Sequence, residues 1–213
     1  MQDDAQVEII QYPYSHELPQ EHRIESARSK AWNDISRWRK AERKRLIDER
    51  LALTPEERQI RSGRIASLLD STIGNFAGRI VGSYWPFRGE PDLRNWGIMI
   101  IERGGRIALP VVVQKGWPLE YRTWSPGDPL ERGFWNMLVP ARGSAVQPDI
   151  VIAPVVGFDD ANYRLGYGGG FFDRTLATMT RKPLSIGVGY AQSWIPTVYP
   201  QHHDVPMDVI VTD

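Results

Sequence analysis

The chain has no cysteine among its 213 residues, which excludes disulfides, thiolate zinc sites and a cysteine nucleophile. It also lacks net charge: lysine plus arginine number 26, and aspartate plus glutamate number 26. Without an excess of one sign there is no global electrostatic case for a nucleic-acid partner or a membrane surface. No apolar run approaches the roughly 20 residues a bilayer span needs. The opening Met1-Gln2-Asp3-Asp4-Ala5-Gln6 is acidic and carries no apolar signal core. Internal repeats and low-complexity tracts are missing too. What remains is an ordinary soluble composition, long enough for one domain of good size with a short extension. A cytoplasmic protein, monomeric or a weak homodimer, is the expectation.

Residues 1–20 hold Pro13 and Pro19 and no sustained period, so they read as a flexible extension, with Val7-Glu8-Ile9-Ile10 as a candidate edge strand. A single domain is then expected over 21–213. From Glu21 to Leu51 no helix breaker occurs, which predicts one long helix or two abutting ones. Thr54-Pro55-Glu56-Glu57 is a helix start, with a capping hydroxyl, proline in the first turn and glutamate three residues after the cap. That second helix is expected to reach about Asp70 and to bury Ile60, Ile65, Leu68 and Leu69. Strands are predicted at 79–85, 106–112, 149–156, 184–190 and 207–211, with an antiparallel one at 119–124 and an irregular segment before Pro148. Helices are predicted at 91–102 and 172–179. Strands alternating with helices imply a mostly parallel sheet covered on both faces.

The most unusual stretch is Arg164-Leu165-Gly166-Tyr167-Gly168-Gly169-Gly170-Phe171-Phe172-Asp173. Four glycines in five positions suit a backbone that takes unusual dihedral angles or is approached closely. An apolar run, 150–156, precedes it and a helix-like run follows. Strand, glycine loop and helix in that order present a helix N-terminus to an anion. The loop is neither standard nucleotide motif, however. A dinucleotide fingerprint begun at Gly166 meets Phe171 at its sixth position, and one begun at Gly168 meets Asp173. A P-loop needs lysine and a hydroxyl residue where Phe171-Phe172 stand. A glycine-rich turn that merely joins strand to helix would show the same glycine count. Arg164 and Asp173 on its flanks argue for more, since one offers a phosphate fork and the other a magnesium ligand.

Together with Gly157-Phe158-Asp159, Gln192 and His203-Asp204-Val205-Pro206-Met207-Asp208, the segment from Tyr163 to Arg174 resembles the 5-formyltetrahydrofolate cyclo-ligase (5,10-methenyltetrahydrofolate synthetase) family, over roughly residues 38–213. The resemblance implies a Rossmann-like three-layer α/β/α sandwich with a mostly parallel central sheet behind a long N-terminal helical segment. It also implies ATP- and magnesium-dependent closure of 5-formyltetrahydrofolate to 5,10-methenyltetrahydrofolate through phosphorylation of the formyl oxygen. Carried over residue by residue, Arg164 and Asp173 become catalytic. Leu165, Gly166, Tyr167, Gly168, Gly169, Gly170, Phe171 and Phe172 join Arg164 in holding ATP. Asp173 and Asp204 become magnesium ligands, and Arg43 with either Arg39 or Lys40 meets the phosphates. Glu90, in the acidic turn Gly89-Glu90-Pro91-Asp92, and Trp135 line the folate side with Tyr167 and Phe171.

Each role has a plainer counterpart: a first-turn carboxylate facing the helix dipole for Asp173, a solvated helix face for the basic run of Arg37, Arg39, Lys40, Arg43, Lys44 and Arg45, a loop acid for Glu90. The chain departs from the family pattern at Val139, where glutamate or glutamine is common, and at Phe171-Phe172, where tyrosines are common. Two rival readings follow: a non-catalytic relative that binds ATP or a folate, and a hydrolase with a metal on His202-His203-Asp204. The second is weak, because adjacent side chains on a strand diverge.

Overall fold

The computed structural model describes residues 20–213, and side chains from residue 32 onward. The expectations for residues 1–19, the flexible extension and its edge strand, lie outside the described residues. By internal contacts the chain divides into Met1–Arg37 and Trp38–Asp213. The described part of the first unit is helical; apart from the bounds of the first helix, everything below concerns the second.

A single helix, α1, runs Gln20–Ala52. Leu53 and Thr54 break it, and α2 follows over Pro55–Ile73. The predicted capping box is present: Thr54 Oγ1 accepts from the Glu57 N–H, and the Glu57 carboxylate accepts from the Thr54 N–H. Ile65 and Leu69 are fully buried on α2, but Ile60 and Leu68 are 58% and 47% exposed. The buried stripe runs Ser62, Ile65, Leu69. Leu68 lies about 100° around the helix from Leu69, so only one of the pair can face inward.

Seven strands form the central sheet. They are β1 (Ile80–Gly82), β2 (Arg106–Val111), β3 (Glu120–Trp124), β6 (Ala145–Val146), β7 (Ile150–Pro154), β10 (Leu184–Val188) and β11 (Val209–Val211), in the order β11-β10-β7-β1-β2-β3-β6. The five strands from β11 to β2 are mutually parallel, β3 runs against them, and β6 pairs antiparallel with β3. The irregular segment contains a second small sheet of β4 (Leu130–Arg132) and β5 (Leu138–Pro140).

Strand alternation decides the layers. Val81, Ile107, Leu109, Ile150 and Ile152 pack on one side with α2 and with α3 (Arg94–Glu102). Ile80, Ala108 and Val151 point the other way, against Phe172, Leu176 and Met179 at α4 (Phe171–Thr178). Neighbouring residues on each strand thus serve opposite faces, and the architecture is the expected three-layer α/β/α sandwich. A third apolar cluster joins Leu46 and Ile47 of α1 to Val156, Leu165, Ile195 and Val198.

One connection differs from expectation. The predicted strand over 149–156 ends at Pro154, and the chain makes a hairpin of β8 (Gly157–Phe158) and β9 (Arg164–Leu165) before the glycine loop. The Asp159 carboxylate organises that turn, accepting from the Ala161 and Tyr163 N–H groups through Oδ1 and from Val198 N–H through Oδ2. The loop therefore leaves an outlying hairpin instead of the end of a central strand.

Candidate functional site

The loop from Gly166 to Gly170 is held by its carbonyl groups. Arg43 Nε donates to the Gly166 carbonyl at 2.7 Å, and the Arg174 guanidinium donates to the Gly169 carbonyl. The Arg174 N–H caps the Gly170 carbonyl at 3.2 Å. Among the described residues no hydrogen bond engages the N–H groups of Gly166 to Phe172. A backbone whose oxygens are turned to cations and whose N–H groups are unspent has those donors available to an anion. Two glycines suit its shape best. Gly168 has φ +89 and a Cβ there would sit 3.3 Å from the Arg43 guanidinium carbon; Gly170, the left-handed cap of α4 at φ +62, would meet Arg174 at 2.8 Å.

The cations come from α1 and from the loop's flanks. Arg39 and Arg43 are one helical turn apart on α1 and share a face. Arg39 donates to the Val198 carbonyl at 2.9 Å, to the Tyr199 carbonyl at 3.0 Å, and to the Asp204 carboxylate. Lys40 is exposed. Burial and then the Arg39 charge lower the Arg43 guanidinium from its ordinary value, with Asp204 pulling the other way. It stays a cation, as guanidinium groups do.

Arg164 is the buried pivot, its side chain 4% exposed. It donates to Asp173 Oδ1 at 2.9 Å and to the Val205 carbonyl at 2.7 Å, and it lies 5.7 Å from the centre of the Phe172 ring. The Val205 N–H also donates to Asp173 Oδ1, at 3.0 Å. That bond brings the turn carrying Asp204 beside the first turn of α4. Asp173 and Asp204 both interact with the Arg164 charge, opposing the lowering that burial imposes on it. Burial pushes the Asp204 carboxyl up, but the Arg39 hydrogen bond, the Gln201 N–H and the Arg39 and His203 charges together hold it below its ordinary value. Among the described residues no group of three or more His, Asp or Glu side chains is placed to hold a metal. His202, His203 and Asp204 therefore form no such group among the described residues. Two carboxylates do fit magnesium, whose remaining ligands are commonly phosphate and water.

Glu90 and Trp135 sit at opposite ends of the loop. Glu90 is 5% exposed. Its Oε1 accepts from the Tyr167 hydroxyl at 3.0 Å and its Oε2 from the Phe87 N–H at 2.8 Å. Burial pushes its carboxyl up to about 7 against the opposing Arg50 charge and these two hydrogen bonds. A cavity of about 670 Å³ reaches Glu90 from the side of α2, with Arg58, Gln59, Asn95 and Trp96 among its walls. No glycine-loop residue and no Trp135 lines it. Trp135, 48% exposed and in the left-handed region at φ +54, leans on Phe171 with ring centres 5.9 Å apart.

The departures from the family pattern have distinct environments. Val139 is buried against Gly133 in the small sheet. Phe172 is part of the core beneath α4. Phe171 stands at the loop between Trp135 and the Arg174 guanidinium, 5.3 Å from its centre. Arg50 was not anticipated as a site residue. It is 2% exposed and its Nη2 donates to the Tyr167 oxygen at 2.6 Å. Its signal was its place on α1: residues 39, 43, 46 and 50 follow helical spacing, and Leu46 is core.

An α/β enzyme with an anion cradle between cations and two carboxylates is the class that this fold and site define. The comparisons with known proteins carry the assignment to a family. The family model for the 5-formyltetrahydrofolate cyclo-ligase family matches residues 35–213, and the chain belongs to that family. It is 28% identical over 170 residues to the 5-formyltetrahydrofolate cyclo-ligase of Escherichia coli K12, covering 76% of this chain and 93% of that protein. It is 27% identical over 166 residues to that of Mycolicibacterium smegmatis, covering 72% and 84%. The fold is similar to the NMR structure of Aquifex aeolicus 5,10-methenyltetrahydrofolate synthetase, with a TM-score of 0.71, 29% identity and coverage of 82% of this chain and 89% of that one.

Proposed function

We propose that the chain catalyses the ATP- and Mg²⁺-dependent closure of 5-formyltetrahydrofolate to 5,10-methenyltetrahydrofolate. The observation that carries this reading is the polarity of the glycine loop, with carbonyls bound by Arg43 and Arg174 and N–H groups left to a polyphosphate. Family membership supports the substrate pair.

The chemical problem is the formyl oxygen, which is a poor leaving group until it is phosphorylated. In the proposed route that oxygen takes the γ-phosphoryl group of ATP, N10 adds to the formyl carbon, and inorganic phosphate departs with the oxygen. The protein's part is positioning and charge neutralisation. The N–H groups of Gly166 to Phe172 hold phosphate oxygens, and Arg39, Arg43 and Arg164 surround them. Asp173 and Asp204 would hold magnesium, which when bound would supply charge neutralisation. Trp135 and Phe171 offer an aromatic wall to the folate, and Glu90 offers the acceptor for its N–H groups.

Mixing the protein with 5-formyltetrahydrofolate, ATP and Mg²⁺ should generate the methenyl chromophore. Its absence alongside normal ATP binding would leave the second reading, a relative that binds ATP or a folate without turnover. Phe171 and Phe172, which bring no hydroxyl to the loop, favour that second reading.

A further inference from the structure

We infer that Arg50, acting through the Tyr167 hydroxyl, is a positioning residue that orients Glu90 toward the substrate and ties it to the glycine loop. The argument is one of hydrogen-bond direction. A guanidinium only donates, and a phenol has one proton. Arg50 Nη2 lies 2.6 Å from the Tyr167 oxygen and occupies it as an acceptor, so the phenol proton must go elsewhere. Glu90 Oε1 is 3.0 Å away, whereas the Phe87 carbonyl is 3.5 Å away. The proton therefore points at Glu90, and the Phe87 N–H secures the other carboxylate oxygen.

Arg50 is itself fixed. Its Nε donates to the Arg88 carbonyl at 2.9 Å and its Nη1 to the Val155 carbonyl at 3.4 Å. Tyr167 is the second residue of the glycine loop, and the residue before it is held by Arg43. Displacing the hydroxyl would release Glu90 from the loop, while Arg43 keeps its hold on Gly166. Arg50 from α1, Tyr167 from the loop and Tyr84 following β1 all face Glu90, and Asp92 is charged nearby on its own turn. Arg58 stands on the wall of the cavity that Glu90 reaches.

The substrate clause rests on the proposed function, and the clamp does not, so the test has two arms. Carbon-13 carboxyl NMR of the ligand-free full chain, assigned with Glu90→Gln, follows Glu90 directly. Tyr167→Phe and Arg50→Met should each raise its titration midpoint from about 7, and Arg50→Lys should bring it part of the way back. In turnover, Tyr167→Phe should raise KM for the reduced folate about tenfold while KM for ATP changes less than about twofold. An unmoved midpoint in both variants overturns the clamp. Equal increases in the two KM values overturn the positioning role and make Tyr167 part of the nucleotide cradle alone. Should the unaltered protein form no methenyl product, the proposed function fails while the NMR arm still decides the clamp.

Discussion

Glu90 and Asp204 are both acids that face an arginine of α1, yet they are displaced in opposite directions, Glu90 upward and Asp204 downward. Asp204 receives its arginine directly, through the Arg39 guanidinium, with a backbone N–H added. Glu90 feels Arg50 only beyond a tyrosine hydroxyl, and the residue is 5% exposed. Burial dominates where the cation is one side chain removed, and the ion pair dominates where it touches. The lesson is that the two ends of this site are built for different protonation states. The Arg39 end holds Asp204 as an anion, and the Glu90 end holds an acid that can gain a proton near neutrality.

The largest expected effect lies at Asp173. Asp173→Asn should lower magnesium-dependent kcat by about two to three orders of magnitude. The protein should remain folded, because Arg164 keeps the Val205 carbonyl. Equal activity, with a normal melting curve, would remove Asp173 from the site. The next test breaks the comparison from the other end. Because the folded Glu90 carboxyl sits near 7 and its ordinary value is 4.5, the folded state retains a proton that the unfolded chain releases between those values. Stability should therefore fall as pH rises through that window and level off above it. Glu90→Gln should abolish this loss, roughly 3 kcal/mol between the two limits, as read by denaturant melts at several pH values. Asp204→Asn should do the reverse and flatten the acid side, since a lowered carboxyl loses its contribution as pH falls below about 3.8.

Smaller effects sharpen the picture around α1. Arg39→Ala should raise KM for ATP about tenfold, because one charge-assisted hydrogen bond is lost. Lys40→Ala should leave KM within about twofold, as an exposed cation contributes little. The opposite ranking would transfer the phosphate role to Lys40. Gly170→Ala should cost about 1–2 kcal/mol for a left-handed cap with a side chain, measured as a fall in melting temperature with weaker ATP binding.

Much of this was readable along the chain. The capping box at Thr54, the antiparallel strand at 120–124 and the helix after the glycine loop are local signals, each contained in a few residues. The Arg164–Asp173 block carried the family likeness because its spacing is contiguous. Ile60 and Leu68 were misplaced because an apolar residue on a helix does not announce whether its neighbours will cover it. The hairpin of β8 and β9 was hidden because two-residue strands have no period to detect. Arg50 escaped notice because it lies beyond the basic run of residues 37–45 and nothing local marks it as the arginine that becomes buried.

The sequence alone thus determined the helices, the sheet class, the glycine loop and the family likeness, all properties of residues close together in the chain. Only the tertiary structure decided which arginine meets which acid. Arg39 with Asp204 spans 165 positions, Arg50 with Tyr167 spans 117, and Tyr167 with Glu90 spans 77. Such pairings depend on how three layers pack, and packing sets the burial and the distances that give the two acids their opposite character.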